Sequence, residues 1–387
     1  MNYNIINNTS QGETTMKDIK NFGFGLLRLP HIDPNDNTDI DLDEMIKMVD
    51  KFMESGFMYF DTAYSYLGYK SEAFFKKAVA DRYPRESYSI TTKLPCLELK
   101  ETDNAREFFQ TSLDRCGVEY FDFYFLHSLN RAKFDLAEKC GWFDLLSEVK
   151  AEGKTKKIGF SFHDSAEVLD EILTKHPEVD VVQIQLNYLD WENPTIQSRA
   201  CYEVCVKHGK PVVVMEPIKG GNLINIPEKA LEKMKAYNPK ASTASWALRF
   251  AASQPNVMMV LSGMGNMEQM EENLSFMKDF KPLNEEEMAI LRECAEIIRN
   301  SVAIGCTGCS YCTDGCPVGI PIPRYFALYN ENERDKWQAN AKARYQALVK
   351  DGFTRASGCL SCRQCEFMCP QKLPITQLLP KVAQKFE

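Results

Sequence analysis

The sequence predicts an α/β protein: a closed (β/α)8 barrel followed by a smaller helical module rich in cysteine. Three observations carry this prediction. From Asn21 to about Asp279, eight short apolar runs alternate with helix-period segments, and that length of roughly 260 residues suits an eight-unit barrel. An open doubly wound sheet would usually carry a GxGxxG turn after its first strand, but Gly23-Phe-Gly25 is followed by Leu-Leu-Arg28, without the third glycine. Finally, eight of the 14 cysteines fall between Cys306 and Cys369.

In chain order, the predicted strands are Phe22–Leu29, Met58–Ala63, Tyr88–Leu94, Phe121–Leu126, Lys157–Phe162, Val179–Leu186, Pro211–Met215 and Val257–Leu261. Each is rich in Val, Ile, Phe or Tyr, as strands buried on both faces should be. Between them lie amphipathic helices. Asp43–Ser55 places Met45, Ile46, Val49, Phe52 and Met53 on one face and stops at Gly56, while Asn266–Met277 does the same with Met267, Met270, Leu274 and Met277. A helix over Asn284–Ser301, a stripe of Trp337, Ala341, Tyr345 and Leu348, and a short helix over Ile375–Phe386 follow. The expected organisation is therefore a polar N-terminal segment (1–20), the barrel (21–283) and the C-terminal module (284–387).

Composition narrows the function class. Of the 387 residues, 44% are hydrophobic and 26% charged, which excludes disordered and fibrous chains. No run approaches the ~18 apolar residues of a spanning helix, and Met1–Met16 has no apolar signal region. No membrane association is expected. A net charge of −8 without a Lys/Arg block argues against nucleic acid. Cysteines concentrated in one module suit a cytoplasmic metal-binding protein better than a secreted disulfide scaffold.

The module holds Cys306-x2-Cys309-x2-Cys312-x3-Cys316-Pro317 and Cys359-x2-Cys362-x2-Cys365-x3-Cys369-Pro370. Structural zinc is the other chemistry open to such a set, although zinc sites pair their CxxC units at longer separations. Both runs resemble the motifs by which bacterial ferredoxins hold [4Fe–4S] clusters, in which the fourth cysteine ligates the other cluster. That resemblance implies two clusters, one on Cys306, Cys309, Cys312 and Cys369, the other on Cys359, Cys362, Cys365 and Cys316. The 42 residues between Cys316 and Cys359 mark an insertion relative to a compact ferredoxin.

Chemistry in such barrels sits at the C-terminal ends of the strands. The second run ends Phe60-Asp61-Thr62-Ala63-Tyr64-Ser65-Tyr66, the third Thr92-Lys93-Leu94-Pro95 and the fourth Leu126-His127-Ser128. A carboxylate, a phenol, an ammonium and an imidazole should thus meet at one mouth. The set resembles that of the aldo-keto reductase family, over roughly Gly23 to Leu274. The resemblance implies Asp61, Tyr66, Lys93 and His127 as the catalytic residues, with Tyr66 as general acid. A Lys93 cation held by Asp61 is expected to lower the Tyr66 pKa, and His127 to hold the carbonyl oxygen.

The same resemblance implies a nicotinamide cofactor, NAD(H) or NADP(H), lying extended across the mouth. It would be held by Gly25, Ser161, Gln183, Met215, Lys219, Gly220, Gly221, Glu272 and Asn273. Four positions depart from the family pattern: Phe162 replaces an Asn, Met215 replaces a stacking aromatic, and Gly263 and Gln269 replace the bases that many members aim at a 2′-phosphate. With Glu268 and Glu271 nearby, either a preference for NADH over NADPH or weak dinucleotide binding is expected. Gln269 also reads as part of a capping box with Asn266. The remaining wall candidates are Leu26, Arg28, Tyr64, Cys96, Leu129 and Leu223.

Three functions remain open on this reading. One is a nicotinamide-dependent reductase of a small carbonyl, or dehydrogenase of an alcohol, whose clusters serve a redox partner such as a ferredoxin or flavoprotein, or brace the C-terminus. The second is an iron–sulfur electron-transfer protein with a nucleotide-binding barrel. The third is a cluster-fed reductase of another substrate class. The oxygen lability of exposed clusters points to the cytoplasm of an anaerobe.

Overall fold

The computed structural model describes residues 21–387 except 34, 35, 37 and 335–339. The polar segment 1–20 and Trp337 lie outside the described residues. Eight strands close a parallel barrel in sequence order: β1 (Phe22–Gly25), β2 (Tyr59–Asp61), β3 (Ser89–Leu94), β4 (Phe121–Leu129), β5 (Thr155–Phe162), β6 (Val181–Gln185), β7 (Val212–Met215) and β8 (Val257–Ser262). Each coincides with one of the eight apolar runs, and β8 pairs with β1 to complete the closure.

The period-2 alternation of strand side chains places the chemistry. Tyr59, Phe123, Phe125, Val181, Val213, Met259 and Leu261 form an apolar cluster of their own, apart from the larger one between strands and helices. Two residues further along the same faces come Asp61, His127, Gln183 and Met215. The filled interior thus becomes a polar layer at the strand ends. Gly159 on β5 makes room in this interior, since a Cβ there would collide with the Val181 carbonyl and the Phe125 ring.

The outer helices begin and end on local signals. Leu42–Glu54 starts on Asp41, whose side chain accepts the Glu44 N–H, and is followed by Gly56 at φ +81°. Asn266 caps Met267–Met277 by accepting the Gln269 N–H, and the Gln269 side chain accepts from Gly265 N. The helix Glu285–Arg299 begins with a full capping box of Asn284 and Glu287. It buries Leu291, Cys294, Ala295 and Ile298 in the main barrel cluster.

Beyond it, Ile322–Arg334, Ala341–Lys350 and Ile375–Phe386 enclose a second core of Ile320, Tyr325, Phe326, Tyr345, Leu379 and Phe386. The two cysteine motifs fold alike. Gly308 and Ser361, Ser310 and Arg363, and Gly319 and Lys372 take the left-handed backbone pairwise, at the same offset as Cys306 and Cys359. Among the described residues no helix is long and apolar enough to cross a membrane.

Candidate active site

Strand register brings the four candidate catalytic side chains together. Asp61 ends β2, and Lys93 lies two residues beyond Thr91, the β3 partner of Asp61. The Lys93 ammonium donates to Asp61 Oδ1 and to the Thr62 carbonyl, both at 2.7 Å, and stands 5.0 Å from the centre of the Tyr66 ring. Tyr66 meets His127 edge-on at 5.5 Å between ring centres. The β4–β5 register shifts between Leu126 and Leu129, where Ser128 has φ +57° and its N–H donates to Ser161 Oγ at 2.7 Å. This irregularity sets the direction of His127 at the strand end.

Burial governs the protonation of the set. It pushes the Asp61 carboxyl up and the Lys93 ammonium down, and their mutual attraction opposes both shifts. Burial and the Lys93 charge hold His127 well below the usual imidazole range, so the ring is neutral. Tyr66 departs from the expectation of a lowered pKa. Burial, then Tyr311 and the Asp61 charge, hold its phenol well above the usual value, with Arg28 opposing. A phenol so held remains protonated, as a proton donor must be.

Tyr66 and His127 line a cavity of about 1030 Å³ with Arg28, Leu29, Tyr69, Leu97, Gly265 and Gln269 of the barrel. Its roof is the C-terminal module, through Gly308–Tyr311 of the first motif and Cys362–Gln364, Phe367 and Met368 of the second. Tyr311 packs 6.4 Å from the His127 ring centre, and its phenol is within hydrogen-bonding reach of Tyr66. Of the six wall candidates, only Arg28 lines the cavity. Leu26, Tyr64, Cys96, Leu129 and Leu223 do not, because those side chains turn into the packing around the strands.

The eight motif cysteines divide between two smaller cavities. Cys306, Cys309, Cys312 and Cys369 line one; Cys316, Cys359, Cys362 and Cys365 line the other. Each group takes three thiols from one motif and the fourth from the other. Backbone N–H groups point at the sulfurs, as in Ile320 to Cys316 and Ser361 to Cys359, both at 3.4 Å. Four thiols and amide donors around a small cavity fit an iron–sulfur cube better than a single zinc ion.

Residues 22–296 match the model of the aldo/keto reductase family, and residues 305–374 that of a 4Fe-4S dicluster domain. The chain belongs to the aldo-keto reductase family. An NADH-specific methylglyoxal reductase of Escherichia coli (strain K12) is 24% identical over 308 residues, covering 67% of this chain and 90% of that protein. An L-galactose dehydrogenase of Arabidopsis thaliana is 23% identical, covering 67% of this chain and 86% of that one. Among solved structures, a thermostable aldo-keto reductase in complex with the inhibitor epalrestat is 25% identical. It superposes with a TM-score of 0.58 over 71% of this chain and 95% of that one. An aldo-keto reductase from Klebsiella pneumoniae in complex with NADPH, 17% identical with a TM-score of 0.56, covers 71% of this chain and 90% of its own. The chain is thus an oxidoreductase of a family that is NAD(P)H-dependent, carrying a dicluster domain.

None of the nine candidate cofactor contacts lines the cavity, although Gly263 and Gln269, which replace the 2′-phosphate bases, do. Gly25 pairs with Asp61 across β1 and β2. Ser161 and Gln183 are register partners and buried; Gln183 Oε1 and Asp61 Oδ2 have no hydrogen-bond partner among the described residues. Met215 ends β7. Lys219, Gly220 and Gly221 form a turn under the module, Asn273 donates to Ser262 Oγ, and Glu272 is exposed. Sequence reasoning missed Tyr311, Thr307, Gln371 and Asp190. Only Tyr311 carried a signal, as an aromatic inside a cysteine motif, and nothing in the spacing told which way it would face.

Proposed function

We propose that this aldo-keto reductase family chain reduces a small-molecule carbonyl, or oxidises the corresponding alcohol, in the cavity between barrel and module, with Tyr66 as general acid. One observation carries this reading: Lys93 clamped on Asp61, with its ammonium over a buried Tyr66 ring that faces His127. A carbonyl oxygen gaining charge needs a proton, and the Tyr66 phenol supplies it beside the Lys93 ammonium, whose charge would stabilise the phenolate left behind. The neutral His127 ring offers an N–H to the same oxygen, while the Asp61–Lys93 pair holds the local field without leaving a net buried charge. The relatives named for methylglyoxal reduction and L-galactose dehydrogenation support a small carbonyl or alcohol as the substrate class.

Cys306, Cys309, Cys312 and Cys369 would hold one [4Fe–4S] cluster, and Cys316, Cys359, Cys362 and Cys365 the other. Such clusters, when bound, supply one-electron transfer. The exposed Cys362, with Leu360 and Phe367 also exposed, favours a redox partner such as a ferredoxin or flavoprotein at the second motif. Exposed clusters also favour an anaerobe's cytoplasm as the setting. At the positions after β8 where many family members carry bases, this chain has Gly263 and Gln269 with Glu268 between them, so that turn itself offers no charge to a 2′-phosphate. The test is reduction of methylglyoxal by the reconstituted chain with reduced methyl viologen as the one-electron donor, two equivalents per carbonyl: Tyr66→Phe should remove turnover and leave the cluster absorbance unchanged. Equal turnover in the two proteins would refute the reading.

A further inference from the structure

We propose that in this chain the groove used elsewhere in the family for the dinucleotide is the seat of the C-terminal module, and that neither NADH nor NADPH occupies it in the extended pose. The proposal rests on the reductase reading only for the identity of the mouth around Tyr66; its evidence lies in how the groove is filled.

The first argument is space. Gly220, the glycine that would let a pyrophosphate approach the backbone, lies against the module: a Cβ there would collide with the Thr307 carbonyl oxygen. That contact is held from two sides of the mouth. Arg28, just beyond β1, donates to the Thr307 carbonyl at 3.0 Å, and Asn222, beyond β7, donates to the Cys306 carbonyl at 2.8 Å. Residues 306 and 307 therefore bridge the groove at its centre. Tyr311, four residues on, fills the space beside Tyr66 and His127.

The second argument is charge. An ammonium has three N–H donors. Those of Lys219 meet Asp190 Oδ1 at 2.8 Å, Asp190 Oδ2 at 2.7 Å and Gln371 Oε1 at 2.8 Å. Both charged partners are buried, so the cation is neutralised inside the protein with no donor left for a phosphate. Beside it, Glu216 accepts from Gln185 at 3.1 Å and from Gln371 at 2.8 Å, which places a carboxylate where a pyrophosphate would lie.

These two arguments join the sequence departures at Phe162, Met215, Gly263 and Gln269. The turn after β7, from Glu216 to Asn222, has become a cradle for Cys306, Thr307 and Gln371, while Gly263 and Gln269 line the open cavity. The family's hydride donor does not fit this cradle, and the cavity left open beside Tyr66 is a substrate site walled by the module.

The test uses the whole chain with its clusters reconstituted anaerobically. NADH and NADPH are each titrated to about 1 mM and followed by nicotinamide fluorescence and by equilibrium dialysis. No saturable binding is expected of either. Saturable binding below about 100 µM overturns the proposal, whichever dinucleotide shows it. Amide hydrogen exchange supplies a second readout. The double variant Asn222→Ala with Gln371→Ala should retain its iron content, while the amides of Thr307 to Tyr311 exchange at least tenfold faster. Exchange there unchanged from the parent also overturns it. Failure of the reductase reading would look different. Methylglyoxal reduction driven by reduced methyl viologen would then be the same in Tyr66→Phe as in the parent, whatever the dinucleotide titrations gave.

Discussion

Lys93 and Tyr66 are both buried, yet they answer to burial in opposite ways. Lys93 is ionised only because Asp61 is beside it, so Lys93→Met would leave a lone carboxylate in the barrel mouth. Breaking a buried pair in this way costs about 3–5 kcal/mol, and thermal unfolding of the variant should show a loss of that size. Tyr66 needs no counter-charge, since its neutral form is the one that burial favours. Tyr66→Phe should therefore fold normally. Its turnover of a carbonyl should fall by about 10²–10⁴-fold, the range for a lost general acid. All four residue identities were legible from the strand ends at which they stand. The protonation of Tyr66 was not, because it depends on how completely Tyr311 and the module exclude water from the phenol.

At the level of elements, the apolar runs announced every strand, and the Asn266 cap announced one helix start, because both signals are local. Gly159 is a subtler case: its lack of a side chain matters only once β5 lies beside Val181 and Phe125. Gly159→Ala should destabilise the barrel by about 1–3 kcal/mol, the usual penalty of overpacking, read as a lowered denaturant midpoint. In the cysteine motifs, spacing alone suffices to group three thiols. The fourth member of each set depends on how the second motif is turned toward the first. The observed grouping leads to an expectation for variants. Cys369→Ala should lose the cluster nearer Tyr66 and Cys316→Ala the outer one, each with about half of the iron, in distinguishable electron paramagnetic resonance spectra of the reduced protein. If both variants gave the same residual spectrum, the grouping would be wrong.

For the whole molecule, the decisive feature is that two cores share one cavity. The barrel mouth is not open to solvent as a free (β/α)8 barrel would present it, since the module supplies a wall from each motif. One buried and one half-buried imidazole make this arrangement sensitive to acid. Burial pushes His163 down to about 4 and His127 well below its ordinary value, so both are neutral in the folded chain. Unfolding lets them bind protons at their ordinary pKa near 6.5. Their contribution to stability is therefore complete above about pH 6.5 and is lost as the pH falls toward 4. Melting temperatures measured anaerobically from pH 7.5 to 5 should decline, and His163→Gln should flatten the decline. A steeper fall in that variant would contradict the assignment.

The sequence by itself determined the eight-unit barrel, the tetrad of polar residues at its strand ends and the two cysteine motifs. Each is written in short-range terms: apolar runs of strand length, residues at strand ends, and thiols two or three positions apart. Only the tertiary structure decided what the tetrad faces. Lys219 carries the same charge whether it meets a phosphate or Asp190, and Gly220 is equally bare under a cofactor or under Thr307. That choice depends on where residues 306–371 fold back onto 216–222, a contact across more than eighty positions of chain. No local pattern encodes it, because a groove is defined by what fills it.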